Sequence, residues 1–174
     1  MIQSFNGISP TLGKNVYIAE TAMVIGDVHI GDDCSIWPST VIRGDMNSIT
    51  IGKCTNIQDG AVIHVAPDHA TIIGSNVTIG HLAHIHGAQI EDEVLIGSSS
   101  IILDGAYIES HSVIAAGALI VPRTRVISMS LMAGLPAQVK RQLNDDEIKH
   151  VRLNASEYVL LKDKYLAESS TLSK

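Results

Sequence analysis

An aliphatic residue recurs at every sixth position of this chain. Ile18, Val24, Ile30, Ile36 and Ile42 keep strict step. After two insertions and one deletion, Ile90, Ile96, Ile102, Ile108, Ile114, Ile120, Val126 and Met132 keep it again. A period of six is neither the 3.6 of a helix nor the plain alternation of a flat strand. It predicts a solenoid in which each repeat lays down one short strand and a corner, and it excludes most other architectures. The fold class expected is an all-β solenoid, a parallel β-helix of hexapeptide repeats with a C-terminal α-helix.

Composition fits that reading. Of the 174 residues, 45% are hydrophobic but only 3% are aromatic, so Ile, Val, Leu and Ala must fill the core. A narrow solenoid interior has little room for rings. The length supplies one domain with a real core. A formal charge of −6 argues against a nucleic-acid surface. No run of about 18 apolar residues is present to span a bilayer. The segment Met1-Ile2-Gln3-Ser4-Phe5 lacks the basic and apolar regions of a secretory signal. Cys34 and Cys54 show no metal-binding or redox spacing and read as buried thiols. A soluble cytoplasmic protein is the expectation.

Repeats such as Val28-His29-Ile30-Gly31-Asp32-Asp33 resemble those of the hexapeptide-repeat proteins. Gly134-Leu135-Pro136-Ala137 is similar to the exit turn that ends many of their solenoids. The resemblance implies three sides to the prism, one hexapeptide per side, and a left-handed winding that opposes the usual crossover preference. The repeat region is placed at residues 1–136. Residues 137–174 are expected to form a helix and tail packed on it, within a single domain. Asn144 and Glu147 make a capping box, with Asp145 and Asp146 suited to the helix dipole. Ile148, Val151, Ala155, Val159 and Leu166 fall on one face. Packing along the prism is the plain role for that helix, and Ser169-Ser170-Thr171 should fray.

The beat breaks at three places. Ile42 to Ile51 spans nine residues, Ile63 to Ile73 ten, and Ile85 to Ile90 five. Assigning successive aliphatic residues to sides in rotation puts Ile42, Ile63 and Ile85 on one side of three consecutive coils. The residue after each is Arg43, His64 and His86. Strand alternation turns these outward, in a column with rungs about 4.8 Å apart. On the neighbouring side Asp59 follows Ile57 by two and His81 follows Ile79 by two, with Gln58 beside Asp59. The remaining histidines, His29, His69, His84, His111 and His150, read as ordinary surface or corner residues.

Three neutral imidazoles with one open position form a catalytic zinc site, in which the cation makes hydroxide available near neutral pH. His64 and His86, one rung apart, reach one metal. His81 lies on a side whose normal differs by about 120° in an ideal triangular prism built from flat strands, so it points away from the other two. Packing prisms about a threefold axis brings one copy's His81 to its neighbour's His64 and His86. The expectation is an interfacial metal in a homotrimer.

The motifs Arg43-Gly44-Asp45, Asn56-Ile57-Gln58-Asp59, Val62-Ile63-His64 and Gly80-His81 followed by His86-Gly87 resemble those of the γ-class carbonic anhydrases. The likeness covers nearly the whole chain, including Asn154-Ala155 and Tyr158. It implies that His64, His81 and His86 bind Zn2+, or Fe2+ or Co2+, and that the substrates are CO2 and bicarbonate. It implies that Gln58 orients the hydroxide or bicarbonate, and that Arg43 and Asp59 pair across the trimer interface with Asp45 supporting the arginine. For Arg43, Asp45 and Asp59, interface stability competes with a direct catalytic role. Tyr158 either approaches the site from the helix or simply packs.

One departure concerns the proton that CO2 hydration releases. Some γ-class enzymes carry an acidic loop with a relaying glutamate. Here the insertion is only Met46-Asn47-Ser48, and no glutamate lies between Arg43 and His81. His69 or His84 could substitute, since an unperturbed imidazole titrates in the right range. Three other readings stay open: a metal-dependent ester or thioester hydrolase, a hexapeptide acyltransferase using acetyl-CoA, and a non-catalytic trimeric scaffold with an idle metal site.

Overall fold

The six-residue beat resolves into three inward-facing columns in a computed structural model, which describes residues 1–172. On the first side Ile18, Ile36, Ile57, Ile79, Ile96, Ile114 and Met132 stack in parallel register. On the second, Val24, Ile42, Ile63, Ile85, Ile102 and Ile120 stack likewise. Leu12, Ile30, Ile51, Ile73, Ile90, Ile108 and Val126 make the third. The result is a left-handed parallel β-helix of about seven turns, closed by one C-terminal helix.

Nearly all of these aliphatic side chains are buried, each contributing roughly 1.5–3 kcal/mol through removal from water. Small residues fill the corners between them. Thr40, Ala61, Ala83, Ser100 and Ala118, two positions before the second-side aliphatic, are all buried. Larger groups there would not fit a narrow prism, which accounts for the scarcity of aromatics. One corner stacks Asp33, Cys54, Asn76, Glu93, His111 and Met129, each at positive φ. His111 is thus a corner residue, as its place in the repeat predicts.

The two insertions share one corner. The first lies within an unbroken strand, Val41–Ile51, whose pairing with Met23–Ile30 shifts register between Gly26 and Val28. The second reverses tightly at Ala66 and His69, which pair antiparallel. Asn47 Nδ2 donates to the Pro67 carbonyl at 3.1 Å and so ties the two together.

After the last coil the chain does not enter the helix at once. Residues from Ala137 first form an antiparallel strand, Ala137–Gln142, on Ser130–Gly134, with the turn at Leu135-Pro136. The helix then runs Asp145–Leu172. Its capping box is reciprocal: Glu147 N–H donates to Asn144 Oδ1 at 2.9 Å, and Asn144 N–H to Glu147 Oε2 at 3.0 Å. Arg141 grips the same carboxylate, and these bonds hold the Glu147 carboxyl down at about 2. Ile148, Val151 and Ala155 are buried, whereas Val159 and Leu166 are half-buried. Helical backbone continues through Ser169-Ser170-Thr171, where the sequence predicts fraying.

The residue fully buried further along this face is Lys162, which pattern reading passes over as polar. It is 0% exposed, and its Nζ lies 3.2 Å from Asp33 and against Asp163. Its aliphatic stem serves as core while two carboxylates satisfy the ammonium. Cys34 is buried, and burial raises its thiol to about 12; Cys54 is half-buried. Among the described residues no helix is long and apolar enough to cross a membrane.

Candidate metal centre

Register brings the outward column together. His64 and His86 are paired partners on adjacent strands, Val62–His64 and His84–His86. Their rings meet edge to face with centroids 5.0 Å apart, and His64 Nδ1 lies 3.0 Å from His86 Nε2. Arg43 sits on the same column one coil below, its neighbour Ile42 paired with Ile63.

Carboxylates hold the outer edges of both rings. His64 Nε2 is 2.8 Å from Asp45 Oδ1, and His86 Nδ1 is 2.5 Å from Asp104 Oδ1. Arg43 binds the other oxygen of Asp45 within the same chain. Burial alone would raise the Asp45 carboxyl, but the hydrogen bonds from His64 and Arg43 outweigh it and hold it low.

His81 stands apart on the neighbouring side. It is half-exposed, and its Nδ1 lies 3.0 Å from Asp59 Oδ2. Gln58, beside Asp59, is 5% exposed and anchored from below: its Nε2 donates to Asn56 Oδ1 at 3.1 Å. Asn56 Nδ2 donates to Thr78 Oγ1 at 2.9 Å, and Thr78 Oγ1 donates to Asn154 Oδ1 of the helix at 2.9 Å. An unbroken polar chain therefore connects the helix to Gln58.

Tyr158 belongs to an aromatic cluster rather than to the histidine pair. Its ring meets Trp37 edge-on at 5.6 Å, and Trp37 also contacts Tyr17 and Tyr165. Burial raises the Tyr158 hydroxyl, with the negative charge of Asp59 adding to the effect. That places the phenol within electrostatic reach of the His81 side.

Two further residues lie beside the pair: His84, which the sequence offers only as a surface residue or a substitute proton relay, and Asp104, which it does not single out. His84 stacks on His86 with centroids 5.9 Å apart and planes 6° from parallel. Burial lowers its imidazole, helped by the charges of His86 and His64. Asp104 lies eighteen residues after His86, in the next coil. Counting one coil onward from each candidate ligand would have found it. His69 lies against Gly105, with its Nδ1 3.4 Å from Asp68. A groove of about 400 Å3 lies elsewhere, between Leu95, Val113 and Leu131 and the helix N-terminus.

Among the described residues, no three His, Cys, Asp or Glu side chains of one copy form a metal-holding group. The chemistry of the donor set nevertheless fits a divalent cation. Each of His64, His81 and His86 has one ring nitrogen facing a carboxylate, and the second nitrogens of His64 and His86 face each other at 3.0 Å, as two donors to one cation would. Carboxylate-oriented imidazole is the usual arrangement around zinc.

Together, repeat and histidines define a class: a hexapeptide-repeat β-helix with paired imidazoles on its outer wall. The bacterial transferase hexapeptide model matches residues 9–44 and 87–122. The chain is 46% identical to "Probable carbonic anhydrase" of Methanocaldococcus jannaschii, over 87% of this chain and 96% of that one. It is 44% identical to "Gamma carbonic anhydrase 1, mitochondrial" of Arabidopsis thaliana over 93% of its length, spanning 61% of that longer protein. Among solved structures, a hexapeptide transferase family protein from Anaplasma phagocytophilum superposes with a TM-score of 0.91 at 38% identity. That match covers 94% of this chain and 97% of the other. The chain belongs to the γ-carbonic anhydrase family.

Proposed function

We propose that this protein is a γ-class carbonic anhydrase-type metalloenzyme that interconverts CO2 and bicarbonate. His64 and His86 of one copy and His81 of the next would hold a divalent cation, zinc above all, in a homotrimer. The observation that carries the reading is the carboxylate behind each of these three imidazoles, on two adjacent faces of the prism. When bound, such a cation supplies Lewis acidity that deprotonates water near neutral pH.

The chain's own groups supply the rest. Asp59 and Asp45 fix the orientation of His81 and His64. With its Nε2 committed to Asn56, Gln58 keeps Oε1 to accept a hydrogen bond from a water or from bicarbonate. The half-exposed Arg43 guanidinium provides positive charge near the column, suited to an anionic product, while Asp45 keeps it in place.

Metal analysis of the purified oligomer, then stopped-flow CO2 hydration with and without chelator, tests the proposal. Stoichiometric metal and chelator-sensitive hydration are expected. Metal-loaded protein that hydrolyses thioesters and leaves CO2 untouched would shift the reading to a hydrolase, which shares the nucleophile. The description of the Anaplasma phagocytophilum relative names a transferase family, which leaves room for a second reading, a hexapeptide acyltransferase. Acetyl-CoA turnover by fully active, metal-free protein would establish it.

A further inference from the structure

We propose that Asp104 is a positioning residue of the centre, holding the His86 ring in the tautomer that turns Nε2 toward His64 and the cation. The inference rests on the metal reading above. Asp104 Oδ1 lies 2.5 Å from His86 Nδ1, while His86 Nε2 lies 3.0 Å from His64 Nδ1. A carboxylate accepts only, so the ring proton must sit on Nδ1. That leaves the Nε2 lone pair facing His64, as a ligating imidazole requires.

The backbone is shaped for this contact. Gly87 and Gly105 both adopt positive φ, and Gly105 N–H donates to the Gly87 carbonyl at 2.7 Å. A Cβ at residue 87 would come 2.5 Å from Asp104 Oδ1. Glycine there keeps open the space through which the carboxylate reaches back to the ring of the preceding coil.

Fold stability gives little reason for the pair. The Asp104 side chain is 43% exposed, and an ion pair open to solvent adds little to stability. The solenoid closes its coils through backbone ladders without it. Asp104 does for His86 what Asp45 does for His64, from the opposite end of the two-histidine pair.

Two measurements test the role. In metal-free protein labelled with 15N at histidine, long-range proton–nitrogen spectra read the tautomer of His86. Wild type should show Nδ1–H, and Asp104→Ala should move toward Nε2–H. In a cobalt(II) titration followed by d–d absorption, Asp104→Ala should bind about 10–100-fold more weakly. Asp104→Asn keeps an acceptor and nearly the same shape, so it should fall between the two and guards against a folding defect. An unchanged tautomer and unchanged cobalt affinity in folded Asp104→Ala would overturn the proposal while leaving the metal reading intact. Wild-type protein that takes up no cobalt would sink the metal reading itself, and this role for Asp104 with it.

Discussion

Thr78→Val tests whether the helix and the candidate centre are energetically joined. Valine matches threonine in shape but removes the hydroxyl that links Asn56 to Asn154. Asn56 is fully buried, and apart from a 3.4 Å contact to the Val77 carbonyl its amide has no other acceptor among the bonds described. Leaving that donor unpaired costs about 1–3 kcal/mol. Asn154 is half-buried and can turn to water, so its lost bond adds about 0.5–1 kcal/mol. The expected destabilisation is therefore about 1.5–4 kcal/mol. Thr78→Ser keeps the hydroxyl and loses one methyl, costing about 1 kcal/mol. With a urea slope of about 2 kcal/mol/M, Thr78→Val should lower the midpoint by about 0.7–2 M and Thr78→Ser by about half a molar. Both must be compared at one protomer concentration, because assembly stabilises by mass action. CO2 hydration should also fall in Thr78→Val, since Asn56 no longer holds Gln58 in place. If Val proves no worse than Ser in either assay, the polar chain does not join the two parts and the reasoning fails.

Further expectations concern core, thiols and acid. Ile63→Ala, at 0% exposure directly behind His64, should cost about 2–5 kcal/mol and lower Tm by roughly 4–20 °C; a loss under 1 kcal/mol would contradict the packing described. Alkylation of the folded protein at pH 8, read by mass spectrometry, should modify Cys54 before Cys34, whose thiol is pushed up to about 12; the reverse order would refute the burial argument. Glu147 has a folded pKa of about 2 against an ordinary 4.5. Its bonds therefore stabilise the helix start fully above pH 4.5, and that contribution is lost as the pH falls toward 2. Glu147→Gln should flatten this acid-side loss in a circular-dichroism titration, and an unchanged curve would count against the capping box.

Much of the fold was legible because a solenoid repeats one local rule. Once the beat is counted, Ile42, Ile63 and Ile85 must stack, and the outward placement of His64 and His86 follows from alternation. The same count put Asp59 and His81 on the next side. What escaped notice came from contacts that no period encodes. Lys162 is buried because two acids pair with its ammonium, one of them a corner residue far away in sequence. Asp104 lies in a turn beside Gly105, at positive φ, and faces Gly87 of the preceding coil. Strand Ala137–Gln142 pairs back on the final coil through a hairpin, so the change of architecture extends past the point where the beat stops.

Alternation along each strand divides labour between inside and outside. The inward residue answers to packing, and the outward one is free of it. Reactive side chains can thus be exchanged on the outer wall with little penalty to the scaffold. Proteins sharing this shape can diverge in chemistry while their backbones superpose, so backbone likeness speaks to ancestry and the outer wall to the reaction.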